Sequence, residues 1–154
     1  MNRGSTLFLK VVIYLMGLAT VGLCILLLGN AFGNRDAGMY SPILIGMTVA
    51  ALPFFYALYQ GLFLLRAIEK NTAFSEKSVR AIKKIEYCAF AISTLYAAGM
   101  PYIVYVADKD DAPGVVLIGL VLIAAPLVVG VFAAVLQRLF QNAIDIKSEN
   151  DLTV

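Results

Sequence analysis

Six of the chain's twelve basic residues fall in one polar interval, 66–86: Arg66, Lys70, Lys77, Arg80, Lys83 and Lys84. Clustered ammonium and guanidinium groups attract phosphates and carboxylates, so this interval offers anion recognition. Bond-making chemistry finds few candidates elsewhere. Histidine is absent, which removes the commonest general base and metal ligand. Cys24 and Cys88 lie far apart with no other soft ligand beside them; two buried small hydrophobes is the ordinary reading. No carboxylate sits well inside an apolar run, so paired acid–base work and proton relays have no carriers. Neither a glycine-rich phosphate loop nor a nucleophile elbow is present. No enzyme activity is expected, and no cofactor or metal.

The elements that must position the basic interval are apolar. The 154 residues are 61% hydrophobic and 14% charged, without tryptophan, and mean hydropathy is +0.86. Soluble domains carry about 25% charged residues. A chain this apolar cannot bury its surface in one water-soluble core, so the bilayer is its solvent. The net charge of +2 gives no bulk attraction to nucleic acid, and direct nucleic-acid binding is not expected.

Four apolar runs are long enough to span: residues 7–28, 43–65, 87–106 and 115–136. About 20 helical residues cross a hydrocarbon core. The expected fold is therefore an all-α membrane protein, a four-helix bundle with a helical hairpin, 66–86, between spans two and three, and a tail, 137–154. The first run also resembles a signal peptide, with Arg3 ahead and small residues Gly29 and Ala31 behind. Its apolar stretch exceeds the usual 7–15 residues or so, which favours an anchor. Lys10 is expected to snorkel to the headgroups. Gly29, Asn30, Gly33 and Asn34 predict a turn, and Ser41-Pro42 an N-cap with proline at the first helical position.

Small residues at helical spacing mark faces for close helix approach: Gly46, Ala50, Pro53, Ala57 and Gly61 in span two; Ala89, Ser93 and Ala97 in span three; Gly130 and Ala134 in span four. Pro53, Pro101 and Pro126 lie inside spans, where neighbouring helices tolerate them. The polar residues at membrane depth are Thr20, Thr48, Tyr56, Tyr59, Gln60, Ser93, Thr94 and Tyr96. Interhelical hydrogen bonding accounts for them; a substrate path lined by Tyr56, Gln60 and Tyr96 is the alternative.

Lysine and arginine set the orientation. Arg3, Lys10, the six of the central interval, Arg138 and Lys147 make ten on one side; Arg35 and Lys109 make two on the other. Ten against two places both termini and the central hairpin in the cytoplasm. Tyr40, Tyr102 and Tyr105 then belong to an outer aromatic belt. An alkaline-phosphatase fusion after Ala37 is expected to be active and one after Ala73 inactive; the reverse pattern overturns the orientation.

Within the hairpin, Asn71 terminates the second helix and Ser75 caps the third, with Phe74 and Val79 at staple positions. From Glu76 onward, Lys77, Arg80, Lys83 and Lys84 fall on one side of the wheel. Val79, Ala81, Ile82 and Ile85 fall on the other. Glu76 and Arg80 form an i,i+4 pair. The basic side suits anionic lipid headgroups, at about 1 kcal/mol per residue. Alternatively it selects a cytoplasmic partner, with Val79, Ile82 and Ile85 as anchors. Leu136, Leu139, Phe140, Ala143 and Ile144 extend a helical stripe into the tail, which packs on the hairpin and exits at 148–151.

Three segments carry a family resemblance. They are Asn71-Thr72-Ala73-Phe74-Ser75, the run from Val79 to Ile85 (VRAIKKI), and the ending from Ala143 to Val154 (AIDIKSENDLTV). Together they resemble the bacterial membrane proteins grouped as domain of unknown function 2975. The resemblance implies an integral inner-membrane protein, often encoded beside a short helix-turn-helix regulator. It supplies no catalytic residues. The expected function is an interaction protein that docks this regulator through Lys77, Arg80, Lys83 and Lys84 with Val79, Ile82 and Ile85. The alternative is a small transporter or channel subunit, oligomeric through the small-residue faces.

Overall fold

The computed structural model describes residues 3–33, 38 and 40–152. Asn34, Arg35, Asp36, Ala37, Thr153 and Val154 lie outside the described residues. Four helices follow in order: α1 (Arg3–Gly33), α2 (Ser41–Glu69), α3 (Glu76–Lys109) and α4 (Pro113–Leu152). All four are long and apolar enough to cross a membrane. Among the described residues there is no strand.

The helices overrun the apolar runs. Gly29, Asn30 and Gly33 are helical and not a turn. At the edge of a bilayer a helix keeps its backbone hydrogen-bonded where water is scarce, which offsets poor helix propensity. At 1.5 Å per residue the 40-residue α4 is about 60 Å long, twice the hydrocarbon thickness of about 30 Å. It runs unbroken through 148–151, where the polar residues Ser148 to Asp151 predicted an exit.

Local chemistry explains the two sharp connections. Asn71 has φ 58° and Asp111 φ 50°, the left-handed conformation that asparagine and aspartate tolerate best after glycine. After α2, Thr72 N–H donates to Ala67 O at 2.8 Å and Asn71 N–H to Ile68 O at 3.2 Å. After α3, Ala112 N–H donates to Ala107 O at 2.9 Å and Asp111 N–H to Asp108 O at 3.4 Å. Both are Schellman closures, which satisfy carbonyls left over at a helix end. Ser75 caps α3 as predicted, accepting from Ser78 N–H at 3.4 Å. The α2 cap is one residue earlier than expected: Tyr40 holds it, without a side-chain capping bond, so the proline sits at the second helical position.

Packing follows chain order. The most extensive seam joins α3 to α4, followed by α2–α3 and α1–α2, and α1 forms no comparable seam with α3 or α4. The small residues sort accordingly. Gly130 is backed by the Phe90 ring and Gly119 by Met100, so a Cβ at Gly130 would lie 2.8 Å from Phe90 Cε1. Ala89 and Ser93 are buried, and Ser93 Oγ donates to Ile123 O at 2.9 Å. That carbonyl neighbours the one at Leu122, whose helical donor is removed by Pro126. Ala97, predicted on this face, is exposed. In α2, Gly61 meets Ile13 of α1, while nothing approaches Gly46. Thr20 and Thr48 bond within their own helices, to Met16 O at 2.7 Å and Leu44 O at 2.9 Å, and not across helices.

Candidate functional site

The basic interval lies where α2 ends and α3 begins. Lys77, Arg80, Lys83 and Lys84 are all exposed on the first turns of α3. Lys83 Nζ lies 5.8 Å from the Tyr87 ring centroid, a favourable placement for a cation over an aromatic face. The opposite side of the same helix is inside the protein. Val79 is 7% exposed and Ile82 1%, and Ser78 and Ala81 are buried beside them. Ile85 is half-buried and lines an internal cleft. A partner approaching this end therefore meets the four charged groups, while Val79 and Ile82 serve the chain's own packing.

The far end of α4 helps to cover the hairpin. The Phe140 ring packs 5.1 Å from that of Phe74, tilted by 54°. Phe74, placed by the sequence at a staple position, thus leans on α4. Gln141 Nε2 donates to Glu76 Oε1 at 3.3 Å and to Asp145 Oδ1 at 3.2 Å. Glu76 is engaged by α4, where a bond to Arg80 was expected. The covered stripe of this helix is Ala133, Gln137, Phe140 and Ile144. Leu136 and Leu139 point outward at 43% and 58% exposure.

The first helix is tied to the same end by an ion pair that sequence reasoning missed. Lys10 Nζ donates to Glu69 Oε2 at 2.8 Å. Lys10 therefore meets a carboxylate on α2 rather than headgroups alone. Residues 59 apart in sequence leave no local signal of such pairing. Partly exposed pairs of this kind contribute about 0.2–1 kcal/mol.

At the opposite end, Tyr40 Oη donates to Asp110 Oδ2. This bond and the nearby negative charge hold the Tyr40 hydroxyl above its ordinary range, because ionisation would break the bond and oppose Asp110. The tyrosines Tyr102 and Tyr105 lie 6.1 Å apart, and Lys109 Nζ sits 5.6 Å from the Tyr105 centroid.

Between the two ends the helices enclose a cleft of about 530 Å³, lined from all four. Thr20, Cys24 and Tyr96 are its polar-capable residues; the remaining lining is hydrocarbon, thioether and Pro126. Tyr96 thus lines the cleft, but Tyr56 faces outward at 46% exposure and Gln60 is buried without lining it. The predicted polar path of Tyr56, Gln60 and Tyr96 is not assembled. The cleft offers an ion no charged ligand, whereas solute-coupling sites in membranes are built on such groups. Among the described residues no group of three or more His, Cys, Asp or Glu side chains is placed to hold a metal ion.

Comparison with known proteins agrees with a membrane location. Residues 30–154 match the family described as "Protein of unknown function (DUF2975)". The chain is 52% identical over 161 aligned positions to the uncharacterized membrane protein YoaS of Bacillus subtilis (strain 168), across 100% of both chains. No solved structure matches the fold. The chain belongs to the DUF2975 family of membrane proteins.

Proposed function

We propose that this DUF2975 member is an interaction protein of the bacterial inner membrane, with both termini cytoplasmic, that docks a helix-turn-helix regulator on its basic face. The observation that carries this reading is the division of labour on one helix. The apolar side of α3 is consumed inside the protein, yet Lys77, Arg80, Lys83 and Lys84 stand exposed together. Packing within the chain does not explain four solvated cations on consecutive turns. Docking through them is electrostatic: it selects an acidic surface on the partner, steers encounter and weakens with salt. The apolar residues Val79, Ile82 and Ile85 act indirectly, by holding that face in place.

The test is recovery of the regulator by the full-length protein in detergent. A Lys77→Glu/Arg80→Glu/Lys84→Glu variant is expected to lose it roughly tenfold or more, since like-charge juxtaposition costs several kcal/mol. Melting temperature should stay unchanged, because all three side chains are exposed. Equal recovery by wild type and variant sinks the proposal. If the variant instead loses only its binding to anionic vesicles, the face is a headgroup contact.

A further inference from the structure

We propose that the central cleft binds the hydrocarbon chain of a membrane glycerolipid, admitted sideways between α1 and α4. The site is independent of the basic face. Its main chamber, about 530 Å³, lies within the range of about 300–1,000 Å³ typical of ligand pockets. A second chamber of about 320 Å³ lies against it. The two share Met47, Tyr96 and Leu122 as walls, and the second reaches Pro42 and Tyr102.

Protein interiors leave few voids larger than one water molecule, so a space of this size is filled. Three occupants compete. Water needs two to four polar partners, roughly, in such a cavity. Here the Thr20 hydroxyl is already donated to Met16 O, and most of the lining offers no polar atom. A helix from a second copy is too large: a 20-residue helix, about 30 Å long and 10 Å wide, fills roughly 2,000 Å³. A hydrocarbon chain is thin and flexible, and demands no polar partner. It is also the solvent on the open side.

The opening is built into the packing order. Because α1 forms no comparable seam with α3 or α4, Leu23 and Leu27 of α1 and Val121 and Val129 of α4 line one cleft from helices that do not close on each other. A lipid tail can enter there without leaving the bilayer. The uncharged walls select for shape rather than for charge.

The experiment reconstitutes the full chain in vesicles of phosphatidylglycerol and phosphatidylethanolamine doped with a phospholipid bearing a diazirine on its acyl chain. Labelled residues are mapped as the doped fraction rises. Labelling of the walls at Met47 and Tyr96 is expected to saturate at low mole fraction. Labelling of Leu18 and Phe132, which are 70% and 72% exposed on the outer surface, should rise linearly. An Ala125→Phe variant fills the chamber and should cut wall labelling roughly tenfold, a change of about 1.4 kcal/mol, while leaving the outer labels. If that variant does not fold, Ala57→Leu replaces it from α2, and the wild-type saturation curve is decisive by itself. Wall labelling that rises linearly with the outer sites overturns the proposal. So does an unlabelled cleft, and Cys24 crosslinking between two copies then identifies a second chain as the occupant.

Discussion

Ile82→Asp is expected to destabilise the protein by about 4 kcal/mol or more, the range reached when an unpaired charge or polar group is forced into a packed interior. Ile82 is 1% exposed and Ala81, its neighbour, 2%. The substitution replaces a fully buried branched side chain by a carboxyl group that burial strips of water. Reversible unfolding in mixed micelles, titrated with SDS, measures the loss. A midpoint within error of wild type would show that this face of α3 is not packed inside the chain. The result also bears on function. A docking test based on Ile82→Asp would report unfolding, which is why the basic residues are the ones to change.

Gly130→Leu is expected to cost about 3 kcal/mol or more, at or beyond the upper end of the usual overpacking penalty. A Cβ at position 130 would lie 2.8 Å from Phe90 Cε1 and 3.0 Å from Cδ1 and Cζ. Even alanine forces the ring to move; leucine adds three more carbons to the same space. The damage falls on the α3–α4 seam, the most extensive in the bundle, where Ser93 bonds Ile123 O. Gly22→Ala is the matched control. Nothing lies within 4 Å of its Cβ position, so relief of glycine's low helix propensity should stabilise by up to about 1 kcal/mol. Thermal melting in detergent distinguishes the two. Equal melting temperatures for Gly130→Leu and wild type would mean that Phe90 does not back Gly130.

Much of the fold is legible along the chain because its determinants are local. Four runs with no other solvent than lipid become four helices, and the observed helices contain all four. The chain reversal after α2 is written in Asn71 and Ser75, whose left-handed tolerance and capping oxygen act within a few residues. The one-sided charge of α3 follows from a 3.6-residue period, and the structure keeps Lys77, Arg80, Lys83 and Lys84 on the exposed side.

What the sequence could not rank was one apolar residue against another. In water, hydrophobicity separates inside from outside. In a bilayer both the lipid and the neighbouring helix accept a leucine, so shape decides. Leu136 and Leu139 carry the stronger hydrophobic pattern, yet they face outward, while the smaller Ala133 and the polar Gln137 lie on the covered stripe. The open cleft has the same origin: nothing in the composition of α1 or α4 says that these helices stay apart.

Local pattern therefore specifies four membrane spans and a basic hairpin, because apolar length, caps and charge spacing act over one or two turns. Tertiary structure alone decided that Val79 and Ile82 are buried, that Phe74 leans on Phe140, that Lys10 meets Glu69 and that a cleft lined by all four helices is left in the bundle. Each of these depends on residues far apart in the chain, brought together by the fit of small against large side chains, which no local pattern encodes.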